Sequence, residues 1–182
     1  MAYGPQRESS LPWVAVHERD LWWGWASPGL MVLVVALAVL SIIDVRTHRL
    51  PRRIIYAAAV TGVPWLVVSA VVHGRSDRVG TMTLGAVGAL VVFGVIYAAS
   101  RGAFGDGDVR LAPLLGAYLG FVDVAHVVVG LFLGFALAAV AGLGLMALGR
   151  AGRRTALPFG PFMAVGALVT LAVGEPLVGI LV

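Results

Sequence analysis

The chain reads as six long apolar runs separated by short polar links. With approximate ends, the runs cover Ser27 to Ile43, Ile54 to Val72, Val79 to Ala99, Ala103 to Val122, Val124 to Leu148 and Phe159 to Val182. Each approaches the roughly 20 residues that a helix needs to cross a hydrocarbon core of about 30 Å. The fourth run is the weak one. Begun at Val109, it would hold only 14 residues, or about 21 Å at 1.5 Å per residue. The segment Ala103 to Asp108 is therefore expected near membrane depth, where irregular backbone needs protein or a water-filled cavity around its polar groups. Small residues recur at four-residue spacing, Gly116 with Gly120 and Gly130 with Gly134, which predicts closely packed helices.

Composition excludes an ordinary soluble domain. Of the 182 residues, 60% are hydrophobic and only 12% charged, against about 25% charged in soluble domains; mean hydropathy is +0.97. Six spans would use about 120 positions and leave no room for a separate soluble domain. The expected fold is an all-α polytopic membrane protein of about six transmembrane helices. Residues 1–26, with Trp13, Trp22, Trp23 and Trp25, read as an extracytoplasmic or interfacial tail, and residues 27–182 as the six-helix domain. The Ala36-Leu37-Ala38 sequence invites a signal-peptide reading, but the positive charges follow this run where a signal peptide has them in front.

The formal net charge is +4, and all 13 basic residues are arginine. The lack of lysine excludes Schiff-base chemistry, and the lack of cysteine excludes disulfides, thiol nucleophiles and cysteine zinc sites. The arginines are dispersed between apolar runs, so nucleic acid is not an expected partner. Arg46, Arg49, Arg52, Arg53, Arg101, Arg110, Arg150, Arg153 and Arg154 fall on one side, and Arg7, Arg19, Arg75 and Arg78 on the other. The positive-inside rule puts the larger group in the cytoplasm and both termini outside. Topology alone accounts for these arginines; docking of a substrate by those after the first run is a secondary reading.

Of the nine acidic residues, Asp123 reads as a helix N-cap, and Glu8, Glu18, Asp20, Asp77 and Glu175 lie toward the outer side. Asp44, Asp106 and Asp108 remain, all toward the cytoplasmic side. An aspartate at the bilayer centre costs about 2.5 to 3.5 kcal/mol and less near the interface, so such residues are functional candidates. The plainer alternatives are that Asp44 pairs with Arg46 or Arg49 and that Asp108 caps a helix. Two carboxylates at one site resist double ionisation and can share a proton, one taking a proton from water while the other protonates a substrate oxygen. Gly105 and Gly107 leave room for an extended substrate near the chain. A calcium loop starting at Asp106 fails, because Arg110 and Leu111 stand where an oxygen ligand and a glycine are needed. No metal and no cofactor is expected. His48 reads as an interfacial loop residue.

Three segments in order resemble the type IV prepilin peptidases, membrane aspartic proteases with a Gly-x-Gly-Asp motif. They are Asp44-Val45-Arg46-Thr47-His48-Arg49-Leu50-Pro51, Gly105-Asp106-Gly107-Asp108-Val109-Arg110-Leu111, and Leu157-Pro158-Phe159-Gly160-Pro161-Phe162-Met163-Ala164-Val165-Gly166. The resemblance implies a catalytic dyad of Asp44 and Asp108 that cuts the leader of a pilin-like precursor with a hydrophobic N-terminal helix at the cytoplasmic face of the cell membrane. It also implies supporting roles for Gly105, Gly107, Arg46, Arg49, Arg110, Pro158, Phe159, Gly160 and Pro161, although a helix-start bend explains the last four equally well. Asp106 falls at the variable position and receives no role. Leu50, Arg52 and Arg110 stand where the family usually has isoleucine, asparagine and lysine, which leaves the role of the first loop open. Larger family members carry a cytoplasmic region, often with paired zinc-binding cysteines, associated with methylation; without those cysteines or that space, methyl transfer is expected to be absent. The competing readings are a signal-peptide-peptidase relative, which shares Gly-x-Gly-Asp, a small proton-coupled transporter using Asp44 and Asp108 as carriers, and a non-enzymatic assembly protein.

Overall fold

The computed structural model describes residues 12–48, 50–100, 104–150 and 158–181. The first eleven residues of the expected tail lie outside these, as do Arg49, Arg101, Ala103, Arg153, Arg154, Leu157 and Val182. Regular structure among the described residues is entirely helical, in six helices: α1 (Pro12–Thr47), α2 (Arg52–Val72), α3 (Asp77–Ala99), α4 (Asp106–Val122), α5 (Val124–Ala147) and α6 (Gly160–Leu181).

Four of the six are long and apolar enough to cross a membrane: the Ala26–Thr47 part of α1, and all of α2, α3 and α5. The chain is thus a multi-pass membrane protein. The other two depart from the six equal spans expected, for separate reasons. Helix α4 has 17 residues and opens with Asp106, Asp108 and Arg110, so it reaches only about 26 Å at 1.5 Å per residue. Helix α6 leaves helical geometry at Val173, where φ is −125° and ψ 15°. Pro176, three residues on, lacks the N–H that would bond the carbonyl of residue 172. Helix α1 extends back to Pro12, so part of the stretch expected as a tail is helical.

Helix α4 forms the centre of the bundle and touches α2, α3, α5 and α6. Its Leu111, Ala112, Leu115, Tyr118 and Leu119 are at most 1% exposed. A short, charged helix thus lies at this depth because its neighbours cover it. Close backbone approach makes that possible. A Cβ on Gly85 of α3 would strike the carbonyl oxygen of Gly116 in α4, and a Cβ on Gly116 would strike that of Gly85. Gly120 meets the Thr81 carbonyl in the same way, while Gly130 and Gly134 of α5 face Gly166 of α6. The four-residue glycine spacing therefore lies at helix crossings.

The two ends of the bundle differ. At one end Asp123 caps α5, its side chain accepting a hydrogen bond of 2.9 Å from the Ala125 amide, and Arg78 donates to the Phe121 carbonyl at 3.0 Å. At the other end the end of α1 and the starts of α2, α4 and α6 come together. Replacing Gly85 with leucine would overpack the α3–α4 crossing at a cost of about 1 to 3 kcal/mol. Thermal unfolding in detergent is expected to show a midpoint several degrees lower, whereas Gly88→Leu, where a Cβ would meet nothing within 4 Å, leaves it near the native value.

Candidate active site

Helical spacing carries Asp44 into the site. Leu33, Leu37 and Leu40 form a buried stripe on α1, and Asp44 continues it one turn further. It is 5% exposed, and its Oδ2 accepts a hydrogen bond of 3.1 Å from the backbone N–H of Gly160 at the start of α6. That bond crosses 116 residues of sequence. Among the described residues no ion pair joins Asp44 to Arg46, whose side chain is exposed. Past Asp44, α1 ends as His48 takes a left-handed φ of 51° and the chain turns toward α2.

Asp108 comes from the first turn of α4. Gly105 is extended, with φ −71° and ψ 131°, and the helix begins at Asp106. The segment expected to be irregular through Asp108 is thus helical from Asp106, and its acidic residues lie where a helix N-terminus favours negative charge. Asp108 is 7% exposed. Its side chain leans back over Gly105, so that a Cβ there would lie 2.7 Å from Oδ2. Asp44 and Asp108 thus lie at the same end of the bundle, with Leu50 against Gly107 beside the one helix start and against Gly160, the partner of Asp44, beside the other.

Leu50 closes the space between the links. A Cβ on Gly107 would fall 2.7 Å from Leu50 Cβ, and one on Gly160 would fall 3.3 Å from Leu50 Cδ2 and 2.9 Å from Asp44 Oδ2. Gly107 and Gly160 are therefore small because a side chain and a carboxylate already occupy their faces. Asp106 is half exposed and pairs with both Arg110 and Arg52. Pro158, Phe159 and Pro161 are half-buried around the buried Gly160.

A four-ring aromatic cluster lies behind these segments and escapes a reading of the sequence alone. Phe93 of α3, Phe104 before α4, Phe135 of α5 and Phe159 before α6 approach one another in all six pairings, with ring centroids 4.8 to 6.5 Å apart. Phe104 immediately precedes Gly105, and Phe159 immediately precedes Gly160. One apolar contact thus fixes the approach of both glycine-bearing segments. The only local signal is the repeated Phe-Gly dipeptide.

Two buried carboxylates on separate helix ends can hold a water and exchange its proton with a neighbouring oxygen. Among the described residues no group of three or more His, Cys, Asp or Glu side chains could hold a metal ion. Residues 31–149 match the type IV leader peptidase family. The chain belongs to that family.

Several curated relatives bear the name prepilin leader peptidase/N-methyltransferase. The protein of Bacillus subtilis is 24% identical over 148 residues, covering 81% of this chain and 56% of the relative. That of Pectobacterium carotovorum is 31% identical over 147 residues, covering 79% and 50%. The Burkholderia pseudomallei protein is 33% identical over 153 residues, covering 79% and 46%. The chain spans about half the length of these relatives and aligns with their C-terminal half. No solved structure matches it significantly. The leader peptidase match includes Asp44 and the stretch from Gly105 to Asp108 but ends before Pro158. Because Phe93 is fully buried, Phe93→Ala should destabilise the protein by about 3 to 5 kcal/mol. Thermal unfolding checks this, and Phe93→Leu, which keeps much of the volume, should lose far less.

Proposed function

We propose that this chain is a membrane aspartic endopeptidase that cuts the leader from pilin-like precursors at the cytoplasmic boundary of the cell membrane. Asp44 and Asp108 form its catalytic dyad. The observation that carries this reading is the burial of these two carboxylates, 64 residues apart in sequence, at one end of the bundle in a chain of the leader peptidase family.

In this mechanism one carboxylate is ionised and the other protonated. The ionised member takes a proton from a water as its oxygen attacks the scissile carbonyl carbon, and the protonated member donates to the carbonyl oxygen. Collapse of the tetrahedral adduct breaks the C–N bond, with proton transfer to the leaving amine. The protons belong to the pair rather than to either residue. The Gly160 N–H fixes one oxygen of Asp44 and thereby the face it offers to water. The substrate enters as extended backbone beside Gly105 and Gly107, and its hydrophobic N-terminal helix stays in the bilayer.

Six membrane helices with both termini outside fit this reading, since Arg46, Arg52, Arg53, Arg110 and Arg150 then share the cytoplasmic side with the dyad. Arg46 and Arg49 remain candidates for contact with the precursor. The methyl transfer named in the relatives is assigned to none of these residues.

Cleavage of a candidate precursor in purified membranes tests the dyad. Asp44→Asn and Asp108→Asn each keep the side-chain shape and should lower the rate by about 10²- to 10⁴-fold; native cleavage by either folded variant would overturn the assignment. Topology has its own check, because the chain has no cysteine. A Ser76→Cys protein should react with a membrane-impermeant thiol reagent from outside the cell, and labelling only from the cytoplasm would reverse the orientation.

A further inference from the structure

The variable position of the Gly-x-Gly-Asp stretch holds Asp106, a residue with no part in the proton transfers above. Its carboxylate nevertheless joins two of the segments that build the site. Oδ2 of Asp106 accepts from Arg110 Nη1, one turn further along α4, and lies 3.5 Å from Arg52 Nη2 at the start of α2. Arg110 fixes the carboxylate within α4, and Arg52 attaches the α1–α2 link to it. Asp106 stands two residues before Asp108, and Arg52 eight residues after Asp44.

The two members of the dyad come from different helices, so their spacing depends on how the α1–α2 link is fastened to the start of α4. One fastening is apolar, with Leu50 against Gly107 and Gly160. Further along, α2 packs on α4 where the Tyr118 hydroxyl donates to the Ala58 carbonyl at 3.4 Å. The charged clip adds a polar contact at the very start of α4, two residues before Asp108. Arg52 and Asp106 are 62% and 51% exposed, and exposed ion pairs add little stability. Their effect falls on geometry, where a misplacement of about 1 Å can cost 10²-fold in rate.

We infer that Asp106, held by Arg110 and gripped by Arg52, is a positioning residue that sets the register between Asp44 and Asp108. This rests on the peptidase reading proposed above. Asp106→Asn and Arg52→Gln should each lower kcat about tenfold, with KM within about twofold of native and the unfolding midpoint unchanged. The double variant should be no slower than Asp106→Asn alone, because that change already removes the contact that Arg52 makes. Raising ionic strength should slow the native enzyme toward the variants and leave the variants unaffected.

A covalent substitute separates positioning from charge. The chain has no cysteine, so Arg52→Cys together with Asp106→Cys offers the only two thiols, and a short bismaleimide joining them should restore most of the native kcat. Native kcat in Asp106→Asn and Arg52→Gln, additive losses in the double variant, or no recovery on linking would overturn the inference while leaving the dyad intact. A native protein that leaves the precursor uncut, or an Asp44→Asn variant that cuts it normally, refutes the peptidase reading and this inference with it.

Discussion

Two carboxylates buried at one end of an apolar bundle are costly to ionise, and most of this fold can be read as what accommodates them there. Neither Asp44 nor Asp108 is more than 7% exposed, and buried charge is costly unless hydrogen bonds or neighbours compensate. The compensation is built from backbone. Gly160 donates an N–H to Asp44, and Asp108 lies in the first turn of α4, where the helix N-terminus favours an anion. Each provision requires a helix to begin at the site, which is why α4 and α6 start at the end where α1 stops.

That requirement shapes the packing. Helix α4 begins with charged residues and cannot present its whole length to lipid, so it is enclosed by α2, α3, α5 and α6. Enclosure needs glycine at the crossings, as at Gly85 with Gly116 and at Gly130 and Gly134 with Gly166. The phenylalanine cluster then ties the approaches to both helix starts into one apolar unit. The starts of α4 and α6 are thereby held against one another by a shared apolar contact, and alignment of reacting groups depends on such support.

Much of this was legible in the sequence because it depends on local pattern. The apolar runs located α2, α3 and α5 to within about two residues, since length and hydropathy alone decide a membrane-crossing helix. Asp123 read correctly as a cap, and Gly116, Gly120, Gly130 and Gly134 as packing residues. The site was legible in part: Asp44 and Asp108 stood out as acids at the edges of apolar runs, and three ordered motifs pointed to the family. What stayed hidden depends on contacts between distant segments. No periodicity announces that Phe93 meets Phe159, that Arg52 reaches Asp106, or that Leu50 fills the faces of Gly107 and Gly160. The interruption at Val173 was hidden for another reason, since a proline inside an apolar run still leaves the run apolar.

In the native membrane the end of α1 and the start of α4 should bring positions 44 and 108 together. Thiol cross-linking tests it most directly. With no native cysteine to compete, an Asp44→Cys/Asp108→Cys protein in intact membranes should link rapidly with a short bifunctional thiol reagent. An Asp44→Cys/Asp123→Cys protein, with its thiols at opposite ends of the bundle, should not. Failure of the 44–108 pair to link in folded protein, or equal linking of the 44–123 pair, would contradict the account.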